Sequence, residues 1–196
     1  MYGRSESARP QVAPLPAKKK SRKPAKRAST RPQVRPRTVT PYLAVNGATE
    51  ALEWYKRAFG AKQLERQLEP SGKLMHGTLK IGDSMVMLSD IFPGSDMKDP
   101  RDTGGSAVSL HIFSKDIDRI WKKAVEAGAR VVMPLDNQFW GDRYGKLADP
   151  YGHSWAFSYP AKMSEAEKER KREEAMRMMS AGDRPGMGSE GSVDRA

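Results

Sequence analysis

The sequence predicts an α+β domain made of two βαβββ modules that form a curved mixed sheet. Three observations carry that prediction. An order of strand, helix and three strands occurs twice; the two helix ends coincide at a shift of 68 residues, Phe59-Gly60-Ala61-Lys62 falling on Ala127-Gly128-Ala129-Arg130; and the net charge lies wholly outside the stretch in which the order recurs. Residues 1–38 hold 12 Lys and Arg against 1 Asp or Glu, residues 39–160 hold 15 against 15, and residues 161–196 hold 8 against 8. A chain of 196 residues accommodates one well-cored domain with extensions. The expected organisation is a basic tail over 1–37, a domain over 38–160 and a charged helix with a Gly- and Ser-rich end over 161–196.

The tail segment from Ala17 to Ser29 has no apolar periodicity and is expected to be disordered, because it cannot bury enough surface to offset its ordering entropy. The first strand is expected over Thr40 to Val45, where residues alternate. A helix follows Asn46-Gly47, with Ala48, Ala51, Leu52, Tyr55, Ala58 and Phe59 at three- and four-residue spacing and Gly60 as its stop. Three strands are expected next, at Gln63 to Leu68, Leu74 to Ile81 and Met85 to Ser89, joined by turns at Ser71-Gly72 and Gly82-Asp83.

A Pro-, Gly- and Asp-rich connection, Phe92 to Ser106, separates the halves. The second half reads as a strand over Val108 to Phe113, a helix over Asp116 to Ala127 with the stripe Ile117, Ile120, Trp121 and Ala124, then strands at Val131 to Met133, Arg143 to Leu147 and Ser154 to Tyr159. Strand alternation turns Leu43, Val45, Leu110 and Ile112 toward the helices and Tyr42 and Phe113 away from them. Met163 to Ser180 reads as a helix with spaced opposite charges and a Met176, Met178, Met179 cluster.

Composition excludes several classes of function. Without cysteine there is no disulfide, thiolate metal site or cysteine nucleophile, and a reducing, cytoplasmic setting is the expectation. No apolar run approaches a membrane span, and the N-terminus lacks the apolar core of a secretory signal. Six prolines among the first 38 residues argue against an amphipathic transit helix. Neither a nucleophile-elbow sequence, nor a Gly-rich phosphate loop, nor a dinucleotide fingerprint is present.

Several short motifs occur in order along the duplicated pattern: Pro41-Tyr42-Leu43, Gly47-Ala48 through Trp54-Tyr55, Phe59-Gly60-Ala61, His76, Ile81-Gly82-Asp83, Met87 to Asp90, Gln138 to Gly145, and Asp149-Pro150-Tyr151-Gly152-His153. In that combination, from about Thr38 to Pro160, the chain resembles a PhnB-like member of the vicinal oxygen chelate (glyoxalase/bleomycin resistance/dioxygenase) superfamily. The resemblance implies a cup-shaped sheet around a small-molecule cavity, completed by pairing of two modules within a chain or between two chains, so a homodimer is among the expected partners. In metal-dependent relatives the ligands fall on positions that correspond here to Thr40, Asp90, Ser109 and Ala156. Only Asp90 among these is a metal donor, and a divalent metal takes three or four. A small-molecule binder without that metal site and without a cofactor is therefore the expected function.

His111 lies two residues beyond Ser109, on the same strand face, and His76 lies on another strand. With Asp90 they compose an alternative, displaced two-His, one-carboxylate site for a divalent metal, which would make the protein a glyoxalase-like lyase or dioxygenase. Tyr42, His76, Asp90, His111, Phe113, Trp140, Arg143 and Tyr144 are the candidate ligand-binding residues, the last cluster offering an aromatic wall and a cation. A third reading concerns the tail. Lys18, Lys19, Lys20, Arg22, Lys23, Lys26 and Arg27, spaced by Pro, Ala and Ser, resemble the basic tails of histone-like nucleoid proteins and would bind nucleic acid without base readout, associating the protein with the nucleoid.

Overall fold

A computed structural model describes residues 37–180 of the chain. The tail lysines and arginines singled out above, Lys18 to Arg27, lie outside the described residues. Among the described residues no helix is long and apolar enough to cross a membrane.

The first module consists of β1 (Tyr42–Ala44), α1 (Ala48–Phe59), β2 (Lys62–Leu68), β3 (Leu74–Ile81) and β4 (Ser84–Ser89). The second repeats it with β5 (Ser109–Phe113), α2 (Ile117–Glu126), β6 (Arg130–Asn137), β7 (Asp142–Ala148) and β8 (Ser154–Pro160), and α3 (Glu165–Ser180) follows. The strand orders are β1-β4-β3-β2 and β5-β8-β7-β6, each with one parallel pair, β1 with β4 and β5 with β8. Each module thus closes its own four-stranded mixed sheet, and no ladder joins β1 to β5 among the described residues. A cleft of about 590 Å³ lies between the β3–β4 turn with the start of β4 on one side and β5 with the start of α2 on the other, walled by Pro41, Met85, Leu110, Phe113, Ile120 and Trp155.

Most boundaries fall within two residues of the expected ones, but β6 extends to Asn137 instead of ending at Met133. Register shifts between Val131 and Met133 and between Met133 and Asp136 interrupt its alternation, which hid its length in the sequence. Pro134 is tolerated because β6 is an edge strand with one side free of ladder bonds.

α1 is the keystone of the core. Its three- and four-residue spacing buries seven side chains, Ala48, Ala51, Leu52, Trp54, Tyr55, Ala58 and Phe59, and Gly60, at φ +66°, ends it in the left-handed conformation that glycine adopts without steric cost. Phe59 packs at 4.6 Å from Trp155 of the second module, and Trp54 donates its indole N–H to the Ala127 carbonyl at the end of α2, 2.7 Å away. The modules therefore share one hydrophobic core. α2 buries only Ile117 and Ala124 fully, with Ile120 and Trp121 packed at the margin.

Candidate functional site

Which way each strand side chain points follows from two glycines. A Cβ at Gly77 would sit 3.3 Å from Leu52 of α1, and one at Gly145 would sit 2.7 Å from Trp121 of α2, so both residues face the helices at close approach. Their neighbours on β3 and β7, His76 and Thr78 in one module, Tyr144 and Lys146 in the other, point to the opposite, helix-free face. Leu43 and Val45 are buried on the helix side, while Tyr42 and Phe113 are 42% and 65% exposed, in line with the alternation expected of β1 and β5.

On the helix-free face of the first module, the Tyr42 hydroxyl lies 3.3 Å from His76 Nδ1, and His76 Nε2 lies 3.0 Å from Thr78 Oγ1 and 3.8 Å from a Glu65 carboxylate oxygen. On the face of the second module, His111 Nε2 lies 2.7 Å from Ser158 Oγ, and its ring packs 6.1 Å from that of Tyr144. Burial pushes the Tyr144 hydroxyl above its usual pKa, which keeps it a neutral donor.

The two clusters occupy equivalent register positions with their residues exchanged. Tyr42 pairs with Met87, which pairs with Thr78; His111 pairs with Ala156, which pairs with Lys146. One row further, His76 and Tyr144 stand at the same place on β3 and β7, beside Ser89 and Ser158 respectively. The first module has Tyr on its first strand and His on its third, and the second has His on its first strand and Tyr on its third.

Trp140, in the β6–β7 turn, stacks edge-on against Tyr144 at 5.7 Å and Phe139 at 5.0 Å, and it is half exposed. Arg143 does not join this cluster. It is one residue from Tyr144 and so on the opposite face, where its guanidinium pairs with Asp118 of α2 at 2.6 Å and approaches Asn137 at 3.4 Å. Asp90 does not reach the face either. Its carboxylate is buried and accepts backbone N–H bonds from Gly47 at 2.9 Å, Ala48 at 3.2 Å and Leu74 at 2.7 Å, fastening the N-terminus of α1 to β3. Those three bonds take most of the carboxylate's acceptor capacity and hold it at the N-terminus of α1 instead of on the face that carries His76.

The metal positions implied by the resemblance offer Thr, Ser and Ala beside this committed Asp90, a donor set that does not fit a divalent ion. His76 and His111 belong to separate sheets. Among the described residues no three His, Cys, Asp or Glu side chains form a metal-holding group. Glu65, Thr78, Lys146 and Ser158 were not singled out from sequence. Thr78 and Lys146 could have been, as the same-face residues two beyond His76 and Tyr144; Ser158 and Glu65 needed the β5–β8 and β2–β3 registers.

Comparison with known proteins bears on the fold. The pattern of the Glyoxalase/Bleomycin resistance protein/Dioxygenase superfamily matches residues 36–157. An uncharacterized protein of Mycobacterium tuberculosis is 41% identical over 127 residues, covering 63% of this chain and 75% of that protein. The crystal structure of TioX from Micromonospora sp. ML1 superposes at a TM-score of 0.50 with 28% identity, covering 64% of this chain and 98% of that one. A putative 3-demethylubiquinone-9 3-methyltransferase, PhnB protein, from Bacillus cereus superposes at 0.52 with 22% identity over 63% of this chain and 99% of its own, a likeness of fold.

Proposed function

The chain belongs to the Glyoxalase/Bleomycin resistance protein/Dioxygenase superfamily, and on that premise we propose that it binds a small organic molecule against its two helix-free sheet faces without a bound metal. The observation that carries this reading is the exchanged Tyr–His arrangement. Each module holds a histidine in place by a hydroxyl, Tyr42 or Ser158, on the face opposite α1 and α2. Pre-oriented donors and acceptors beside exposed aromatic rings are what a small-ligand site requires. The cleft beside β5, which reaches His111 and Phe113 and is lined also by Phe59 of α1 and Ile120 of α2, has a volume within the usual range for such sites.

The faces are open in a single chain, so a second copy laid over them would complete the cup as a homodimer. The test is mass spectrometry of small molecules released from the purified full-length protein, compared with a Tyr42→Phe, His111→Gln double variant. A stoichiometric molecule lost in the variant supports the reading; a molecule retained equally by both refutes it. Mass measurement by light scattering tests the dimer.

The alternative, a metal-dependent lyase or dioxygenase using His76, His111 and Asp90, would have to bring together two histidines of separate sheets and a carboxylate held at the N-terminus of α1. Elemental analysis decides it: about one metal per chain, lost in a His76→Ala, His111→Ala variant, would favour that alternative.

A second reading concerns the tail and rests on the charge segregation, 12 basic residues against 1 acidic in residues 1–38. It predicts weak, salt-sensitive nucleic-acid binding. Deleting residues 1–37 should abolish that binding and leave the folded domain unchanged.

A further inference from the structure

The cleft beside β5 wraps around the free edge of that strand. Leu110 and Ile112 line it from the helix side and His111 and Phe113 from the opposite side, so it is continuous with the face that carries His111. Its deep wall is apolar. Phe59, Met85, Val86 and Trp155 are buried there, and Ile120 of α2 lies half-buried beside them. The Trp155 indole N–H is not open to the cleft, because it donates to Asp149 at 2.8 Å.

Every polar side chain that lines this cleft already has a protein partner. On the first module's side Arg37 donates to Asp83 at 3.1 Å, and the Ser84 hydroxyl donates to the same carboxylate at 3.0 Å. On the other side Arg119 donates to Asp116 at 3.3 Å, and the Ser114 hydroxyl oxygen accepts the Asp116 backbone N–H at 3.2 Å. His111 is engaged with Ser158 at 2.7 Å. Each arginine at the cleft is thus matched by an acid of its own module, and both pairs are exposed, at the mouth and not against the deep wall. A charged ligand entering here would lose hydration without meeting an unpaired opposite charge, a cost that a neutral molecule avoids. The polar groups left open are main-chain N–H and C=O groups of β5, an edge strand of its sheet, and these serve a neutral hydrogen-bonding atom.

We propose that this cleft takes an uncharged, largely apolar ring compound, its rings against Phe59, Phe113 and Trp155 and a neutral carbonyl or hydroxyl at the free edge of β5. This rests on the small-molecule reading above and adds to it the place and chemical class of the ligand.

Fluorescence titration of the full-length protein tests it. The reporter is N-phenylnaphthylamine, a neutral dye that brightens in apolar surroundings, and the competitors are naphthalenemethanol, naphthoate and naphthylmethylammonium, which share a ring system and differ in charge. Displacement reads the dye's site alone, so naphthoate held by the basic N-terminal residues does not count. The dye is expected to bind saturably and to be displaced by the alcohol, while either ion needs at least about tenfold more. Phe113 is 65% exposed, so changing it spares the core. Phe113→Asp should weaken the dye at least about tenfold, and Phe113→Leu should retain most of the affinity. Replacing Met176 and Met179, exposed on α3, with Ser should leave it unchanged.

A Phe113→Asp protein that binds the dye like wild type, or dye binding lost with the α3 methionines, overturns the inference. Displacement by either ion as readily as by the alcohol overturns the neutral class, yet leaves the small-molecule reading standing. A wild type that takes no dye and forms a dimer that Phe113→Asp breaks would give the cleft to a second copy of the chain and overturn the inference too. Absence of dye binding without such a dimer also defeats it, and the small-molecule reading is then judged by its own release experiment.

Discussion

The two modules share a register and differ in what they contribute. The first supplies the core: α1 buries seven side chains, and its aromatic rings reach across to Trp155 and Phe157 of the second sheet. The second supplies the more open chemistry, with a marginally buried helix and an aromatic turn at Phe139 and Trp140. Ladder register is set by backbone pairing and survives divergence of side chains, so a duplicated fold can hold its frame in one half while the other changes charge. The Tyr–His exchange is an instance, since the positions persist and the residues do not.

The largest effect should come from the joint between the halves. Asp149, in the β7–β8 turn, is buried and accepts bonds from the Tyr55 hydroxyl at 2.7 Å, the Trp155 indole at 2.8 Å and the backbone N–H groups of Tyr151 and His153 at 2.9 Å each. Burial, and then the negative charge of Asp149, push the Tyr55 hydroxyl well above its usual pKa, so it stays a donor. Asp149→Ala would strand four donors, three of them buried, and should cost about 3–5 kcal/mol in urea unfolding. A loss under about 1 kcal/mol would mean that the modules do not depend on this joint.

The glycines that set side-chain direction should separate the modules next. At Gly145 a new Cβ meets the Trp121 ring and the Leu135 backbone at 2.7–2.8 Å, whereas at Gly77 the tightest contact is the end of the Leu74 side chain at 2.9 Å. A Leu terminus turns aside more readily than a ring or a backbone atom. Gly145→Ala should therefore destabilise by about 2–3 kcal/mol and Gly77→Ala by about 1 kcal/mol, measured by thermal or urea unfolding. The reverse order would place the tighter helix contact in the first module.

A smaller, pH-dependent effect is expected where the inter-module connection grips the first module. Asp99 is fully buried; burial alone would raise its pKa, but the Arg101 guanidinium and the backbone N–H groups of Asn46 and Arg101 prevail and hold it down to about 2. Its folded value is lower than the ordinary 3.8, so its contribution is fully present above that ordinary value and is lost as pH falls through about 2. The shift is worth roughly 1–2 kcal/mol after allowing for solvent around half-exposed Arg101. Urea titrations should show Asp99→Asn less stable than wild type by about that amount near neutral pH, with the gap closing by about pH 2. A constant gap would remove ionisation as its cause.

The smallest effect should come from Arg143. Because its ion pair with Asp118 lies on the helix side and is partly solvated, Arg143→Met should change stability by less than about 1 kcal/mol in urea unfolding. A larger loss would mean that the Arg143–Asp118 pair ties α2 to β7.

Local sequence carried much of this protein. Periodicities of 3.6 and 2 located α1, α2 and most strands, and the recurrent Phe-Gly-Ala and Ala-Gly-Ala helix ends exposed the duplication, because amphipathic faces and glycine stops are written in neighbouring residues. Alternation also put Tyr42 and Phe113 on the open side. Where alternation breaks, as at the bulges of β6, the reading stopped four residues short.

Tertiary structure decided which polar residues were free. Asp90 and His111 look equally available as letters, yet one carboxylate is consumed by the N-terminus of α1 and the other ring lies on an open face. Arg143 and Tyr144 are adjacent in the chain and belong to opposite sides of a sheet. Hydrogen-bond saturation, and the meeting of strand residues 45 positions apart as in Tyr42 with Met87 and His111 with Ala156, depend on long-range register, which no local pattern encodes.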